Sequence, residues 1–160
     1  VSVAFTKEES AETASETLLP DRVISEHPNL VTAAGLQALQ DQLAAAQQAY
    51  DAAQAVEDVN ERRRQSALPL RDLRYLAARL RSAQLVPAPA STDVVSFGCT
   101  VTIRRGDGRV QSWRIVGEDE ADPATGSISH VSPMARLLTG KAVSDVVELA
   151  GQEIELTAIA

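Results

Sequence analysis

Asp58 and Glu61 stand three residues apart in the run Val56-Glu57-Asp58-Val59-Asn60-Glu61-Arg62-Arg63-Arg64. On a helix that spacing sets two carboxylates about one turn apart. Carboxylates so placed are candidates for chemistry, but Asp-x-x-Glu also arises by chance on solvated helix faces, so both readings stand. Arg62, Arg63 and Arg64 follow directly. Guanidinium forks match the oxygens of phosphates and carboxylates, although a basic run is also an ordinary solvated surface.

Other chemically tempting residues carry less. Glu118-Asp119-Glu120 with Asp122 lacks the spacing and glycine of a calcium loop and reads as a solvated turn. His27 and His130 have no companion ligands nearby in sequence, which favours surface or structural roles over a metal. Cys99, beside Gly98 in an expected strand, reads as a buried, inert thiol. Trp113 and Met134 fit a core or an interface better than a cofactor box.

The elements that must position the carboxylate pair are helices. Leu36, Leu39, Leu43, Ala46, Tyr50 and Ala53 alternate spacings of three and four, the pattern of a coiled-coil seam, and Thr32 is placed to cap the first turn. Leu73, Leu76, Leu80 and Ala83 repeat the pattern, so the two stretches are expected to pack as an antiparallel hairpin. Its turn falls within residues 56–69, where Pro69 either starts the second helix or interrupts one already under way. Gly35 and Gln84 flank the hairpin, and their midpoint lies between Val59 and Asn60, so Asp58 and Glu61 straddle the expected tip.

Pro87 and Pro89 break the helical pattern, after which the period changes to two. Val101 and Ile103 alternate with threonines, Asp107-Gly108 supplies a turn, and Trp113 and Ile115 resume the alternation, which together predict a β-hairpin. A short strand over 128–131, a helix opened by Ser132-Pro133 and ending at Leu138, and strands over 146–149 and 154–160 complete an α+β module. The expected division is an arm over 1–29, largely disordered, a helical hairpin over 30–86, a linker over 87–93 and a β-rich domain over 94–160.

The formal net charge of −7 disfavours non-specific nucleic-acid binding, which is built on basic surfaces, and favours a protein partner. A single cysteine rules out an internal disulfide or a zinc cluster and suits a reducing cytoplasm. No apolar stretch approaches the roughly 20 residues that span a bilayer, and Val1 to Glu9 lacks the order of a signal peptide, so no membrane role is expected.

Over residues 30–160 the chain resembles the Gre family of bacterial transcription elongation factors. The resemblance is carried by Phe97-Gly98 with Thr100-Val101-Thr102, by Arg114-Ile115-Val116-Gly117 with Asp119-Glu120-Ala121-Asp122, and by Ile128-Ser129 with Ser132-Pro133-Met134-Ala135-Arg136. Gly140-Lys141 leading to Asp145-Val146-Val147 adds to it, as do Arg74-Tyr75-Leu76 and Arg79-Leu80. The resemblance implies an FKBP-like antiparallel sheet domain that grips RNA polymerase near its secondary channel, with Ser132, Pro133 and Met134 as contacts. It also implies a coiled coil that passes down the channel, where Asp58 and Glu61 would help the polymerase hold its catalytic magnesium and cleave backtracked RNA.

On that view the protein is not an enzyme alone, binds no metal stably by itself, and is a monomer that meets the nascent RNA 3′ end only inside the polymerase complex. Arg62 and Arg63 would face RNA phosphates or channel acids. Two departures from the family pattern bear on this. The hairpin is shorter by about one heptad per helix, roughly 10 Å of reach, and Val131 stands where Asp or Asn is common. A channel-binding regulator without cleavage is the alternative. A free-standing peptide-binding or prolyl-isomerase domain that dimerises through its hairpin is a more distant one.

Overall fold

The computed structural model describes residues 19–160. Residues 1–18 of the expected arm lie outside the described residues. The chain divides into two compact units, one holding Leu39–Arg81 with the described residues up to Ser25, the other Glu26–Ala38 with Ser82–Ala160.

Two long helices, α1 (Ala33–Gln54) and α2 (Val59–Ser82), make the hairpin. At about 1.5 Å per residue each runs for roughly 35 Å. Along the first unit's share of α1, Leu39 and Ala53 are buried and Leu43, Ala46 and Tyr50 half-buried, while their neighbours are exposed. On α2, Leu76 is buried between the half-buried Leu73 and Leu80. The seam therefore lies where the three-four spacing puts it. Two features of this unit are less visible in that spacing. Arg79 is 1% exposed beside the seam leucines. Pro69 sits inside α2, so the helix is already under way when it arrives, and the Gln65 carbonyl lacks the amide that would ordinarily close its turn.

Before α1 the chain has no regular structure through Asn29, yet its side chains are engaged. Asp21 Oδ1 accepts from Arg74 Nε at 2.7 Å, and the Arg22 guanidinium lies 3.7 Å from the centre of the Tyr75 ring.

The second unit holds two sheets. β1 (Leu30–Val31) pairs in parallel with β2 (Gln84–Leu85). The larger sheet has the order β5-β4-β3-β7-β6, from β3 (Thr100–Arg105), β4 (Val110–Val116), β5 (Ser127–Ser129), β6 (Val146–Leu149) and β7 (Gln152–Ile159). α3 (Pro133–Leu138) packs Met134, Ala135 and Leu138 into a core with Val101, Ile103, Ile115, Ile154 and Leu156. The β3–β4 hairpin turns at Asp107-Gly108, where Gly108 has φ 88° and its amide donates to the Arg105 carbonyl at 2.8 Å.

The sequence pattern departs from this fold in two places. At the two ends of the expected helical hairpin, Leu30–Val31 and Gln84–Leu85 are strand instead of helix, and α1 begins two residues after Val31. The larger sheet is mixed rather than wholly antiparallel, because β5 pairs in parallel with β4. Residues 117–126, with a 3₁₀ turn at Pro123–Thr125, carry the chain back beside Arg114 before β5 starts, which makes a crossover instead of a hairpin.

Candidate functional site

The hairpin turns over Ala55–Asp58, and Asp58 is the residue just before α2. Its Oδ1 accepts from the Glu61 amide at 2.8 Å, the bond an N-cap makes to the third helical residue. Asp58-x-x-Glu61 is thus first of all a helix start, of the type in which an acidic residue stands at the third position. Asp58 is exposed and Glu61 half-exposed, so both carboxylates are accessible at the end of the hairpin.

The arginines that follow divide by role. Arg62 turns back on the loop, donating from Nε to the Val56 carbonyl at 2.8 Å and from Nη2 to the Glu57 carbonyl at 3.2 Å. It ties the turn rather than facing solvent. Arg64 pairs with Glu61 at 2.8 Å. Arg63 is exposed. Gln65 and Arg64, hydrogen-bonded to the Glu61 carboxylate, hold it below its ordinary pKa, so it is ionised near neutral pH.

In the second unit, Ser132 is the N-cap of α3 and accepts from the Ala135 amide at 3.3 Å, with Pro133 at the first helical position. Met134 is 8% exposed and belongs to the core. Of these three residues only Pro133 lines an open, mainly apolar groove of about 460 Å³, together with Val131, Arg136, Leu137, Glu148 and Leu149.

The family described as transcription elongation factor GreA/GreB, C-terminal, matches residues 90–159. Transcription elongation factor GreB of Neisseria meningitidis serogroup A is 42% identical over 95 residues, 56% of this chain and 58% of that protein. GreA of Chloroflexus aggregans is 35% identical over 111 residues, 67% of this chain and 69% of that protein. The chain belongs to the GreA/GreB family. It spans about half the length of the GreB relatives it matches, 58% in N. meningitidis and 49% in Haemophilus ducreyi. GreA factor homolog 1 of Thermus thermophilus aligns at 23% identity and a TM-score of 0.40, covering 84% of this chain and 99% of that one.

In this GreA/GreB member the fold brings Asp58, Glu61, Arg62 and Arg64 together at one turn, while Ser132 caps α3 and Met134 lies in the core. Cys99 is fully buried, although it stands just before β3 and not within a strand. Glu120, which reads as part of a solvated turn, instead accepts from the Thr32 hydroxyl at 2.7 Å. Asp122, from the same acidic run, caps the 3₁₀ turn by accepting from the Ala124 amide at 3.1 Å. The only sequence signal for the Glu120 contact is Thr32 at a helix start. The nearby acidic residues give no sign of which one will reach it.

Proposed function

We propose that this GreA/GreB protein is a transcription elongation factor that binds bacterial RNA polymerase at its secondary channel and stimulates the polymerase's own cleavage of backtracked RNA. The observation that carries this reading is the placement of Asp58 and Glu61 at the turn of the hairpin, one turn apart and accessible. Two carboxylates make a partial magnesium shell, which fits an ion whose remaining ligands come from the polymerase, water and RNA phosphate. When bound, that ion would supply water activation and charge neutralisation at the scissile phosphate. Asp58 and Glu61 would add acceptor oxygens, Arg63 would lie against RNA phosphate or channel acids, and Arg62 would keep the turn closed on itself. On the second unit, the groove beside Pro133 would be the surface that meets the polymerase. Val131 makes it more apolar than the acidic or amide residue common at that position would.

A second reading has a specific observation in its favour. Both Glu61 carboxylate oxygens are already taken by Arg64 and Gln65, which suits a hairpin that occupies the channel without promoting cleavage. RNA cleavage in stalled, backtracked complexes separates the two, with polymerase binding scored in the same samples. Asp58→Asn with Glu61→Gln is the informative variant, because asparagine still caps a helix while neither amide is a carboxylate. Wild-type cleavage that disappears in the variant while binding persists supports the first reading. Binding with no wild-type cleavage leaves the second.

A further inference from the structure

The tip holds Glu61 by both of its oxygens. Arg64 donates from Nε and Nη2 to Oε2 at 3.0 and 2.8 Å, and Gln65 donates from Nε2 to Oε1 at 2.9 Å. Both partners lie one turn further along α2, whereas Asp58 lies one turn behind Glu61. From the third helical position a glutamate can reach back toward the capping residue. Here it is drawn forward instead, and the guanidinium adds a positive charge beside the place a cation would take. An ion shared by both carboxylates would compete with Arg64 for the Glu61 oxygens.

Resting on the cleavage reading above, we propose that Arg64 is a positioning residue that competes with the divalent cation for Glu61 and thereby sets how much magnesium the tip requires. The side chains of Arg64 and Glu61 are 56% and 42% exposed, so the restraint is that of a surface ion pair, weak and graded. It tunes the cation requirement rather than switching activity on and off. Gln65 acts in the same direction without a charge and has the smaller effect.

The test is a magnesium titration of RNA cleavage in backtracked complexes with wild type, Arg64→Gln and Arg64→Lys. Arg64→Gln is expected to lower the half-saturating magnesium concentration by about two- to threefold, the scale an exposed charge pair supports, with little change in maximal rate. Arg64→Lys keeps the charge without the fork and falls between the two. An unchanged half-saturation in Arg64→Gln overturns the proposal while wild-type cleavage, and the reading it rests on, stands. A second measurement needs no cleavage: manganese(II) added to the free protein, followed by broadening of the Glu61 side-chain NMR signals. Broadening at lower manganese in Arg64→Gln than in wild type supports the proposal; coincident titrations overturn it. If neither wild type nor any variant cleaves, the cleavage reading falls and this proposal falls with it.

Discussion

Thr32 and Glu120, 88 residues apart in the chain, meet through a 2.7 Å hydrogen bond in which the Thr32 hydroxyl donates to Glu120 Oε2. The same hydroxyl oxygen accepts from the Gly35 amide at 3.0 Å, so it caps α1 while being held by a carboxylate. Carboxylate charge at a helix start is also favourable to the helix dipole. Thr32→Ala is expected to cost about 1 kcal/mol, the usual scale of a lost N-cap. Glu120→Ala removes the carboxylate but leaves the hydroxyl to cap, so its cost is expected to be smaller. Urea unfolding of the two single variants and the double variant measures this. Additive costs would show that the two residues do not act as a unit.

Gly117 and Gly35 separate two kinds of crowding. A Cβ at Gly117 would stand 2.3 Å from the Leu30 carbonyl oxygen, whereas one at Gly35 would stand 2.7 Å from the end of the Glu120 side chain. Backbone cannot step aside as a carboxylate can. Gly117→Ala is therefore expected to destabilise by about 1–3 kcal/mol, the range for overpacking. Gly35→Ala should cost less, since alanine also favours the helix. Equal shifts in the urea midpoint would contradict this.

His130 gives the second unit a dependence on pH. Burial pushes its pKa below the ordinary 6.5, against the opposing pull of Glu118, and His27 and Arg136 add to the lowering. Its ring meets Phe97 edge-on at 5.5 Å between centroids, and Nε2 is buried with no hydrogen-bond partner. The unfolded chain takes up the proton more readily than the folded one. The contribution of neutral His130 is therefore present above about pH 6.5 and is lost as pH falls from there through the folded pKa. An NMR titration of the imidazole should give a midpoint below 6.5, and His130→Phe should flatten stability across that window. A midpoint at or above 6.5 would refute it.

Arg22 lies over Tyr75 and pairs with Asp72 at 3.4 Å. Both contacts are at the surface, where cation–π and ion-pair energies are about 0.5–1 kcal/mol or less. Arg22→Ala should lower stability by no more than about 2 kcal/mol, the sum of the two contacts. Raising the salt concentration should shrink the difference from wild type, since the ion-pair share is screened. A loss several times larger, insensitive to salt, would mean that the segment is held by something other than these contacts.

What was legible in the sequence follows how local the physics is. The seam through Leu39, Ala53 and Leu76 repeats over many residues, Asp107-Gly108 is a short-range turn signal, and Ser132-Pro133 announces a helix start within two residues. Strands of two residues, Leu30–Val31 and Gln84–Leu85, are too short to have a period, and they pair with a partner more than 50 residues away. Glu120 reads as solvated because its partner, Thr32, is 88 residues away. At the tip the turn, Ala55–Asp58, comes before the midpoint between Val59 and Asn60, so Asp58 and Glu61 both lie on the α2 side instead of straddling it, and their hydrogen bonds have no signal in the spacing. Asp-x-x-Glu can serve as a cation pair or a helix start, and nothing in the spacing tells the two apart. Met134 fits a core or an interface on sequence grounds, and the short α3 settles it in the core.

The N-cap bond from the Glu61 amide to Asp58 has a consequence for descent. A lineage whose tip needs only to begin a helix is free to drift among Asp, Asn, Ser and Thr at that position, since each accepts the same amide. A lineage that still uses the side chain as an anion is held to Asp. The cap of α2 is therefore a recorder of selection: its variation across close descendants would tell a tip held to an anion from one held only to a helix start.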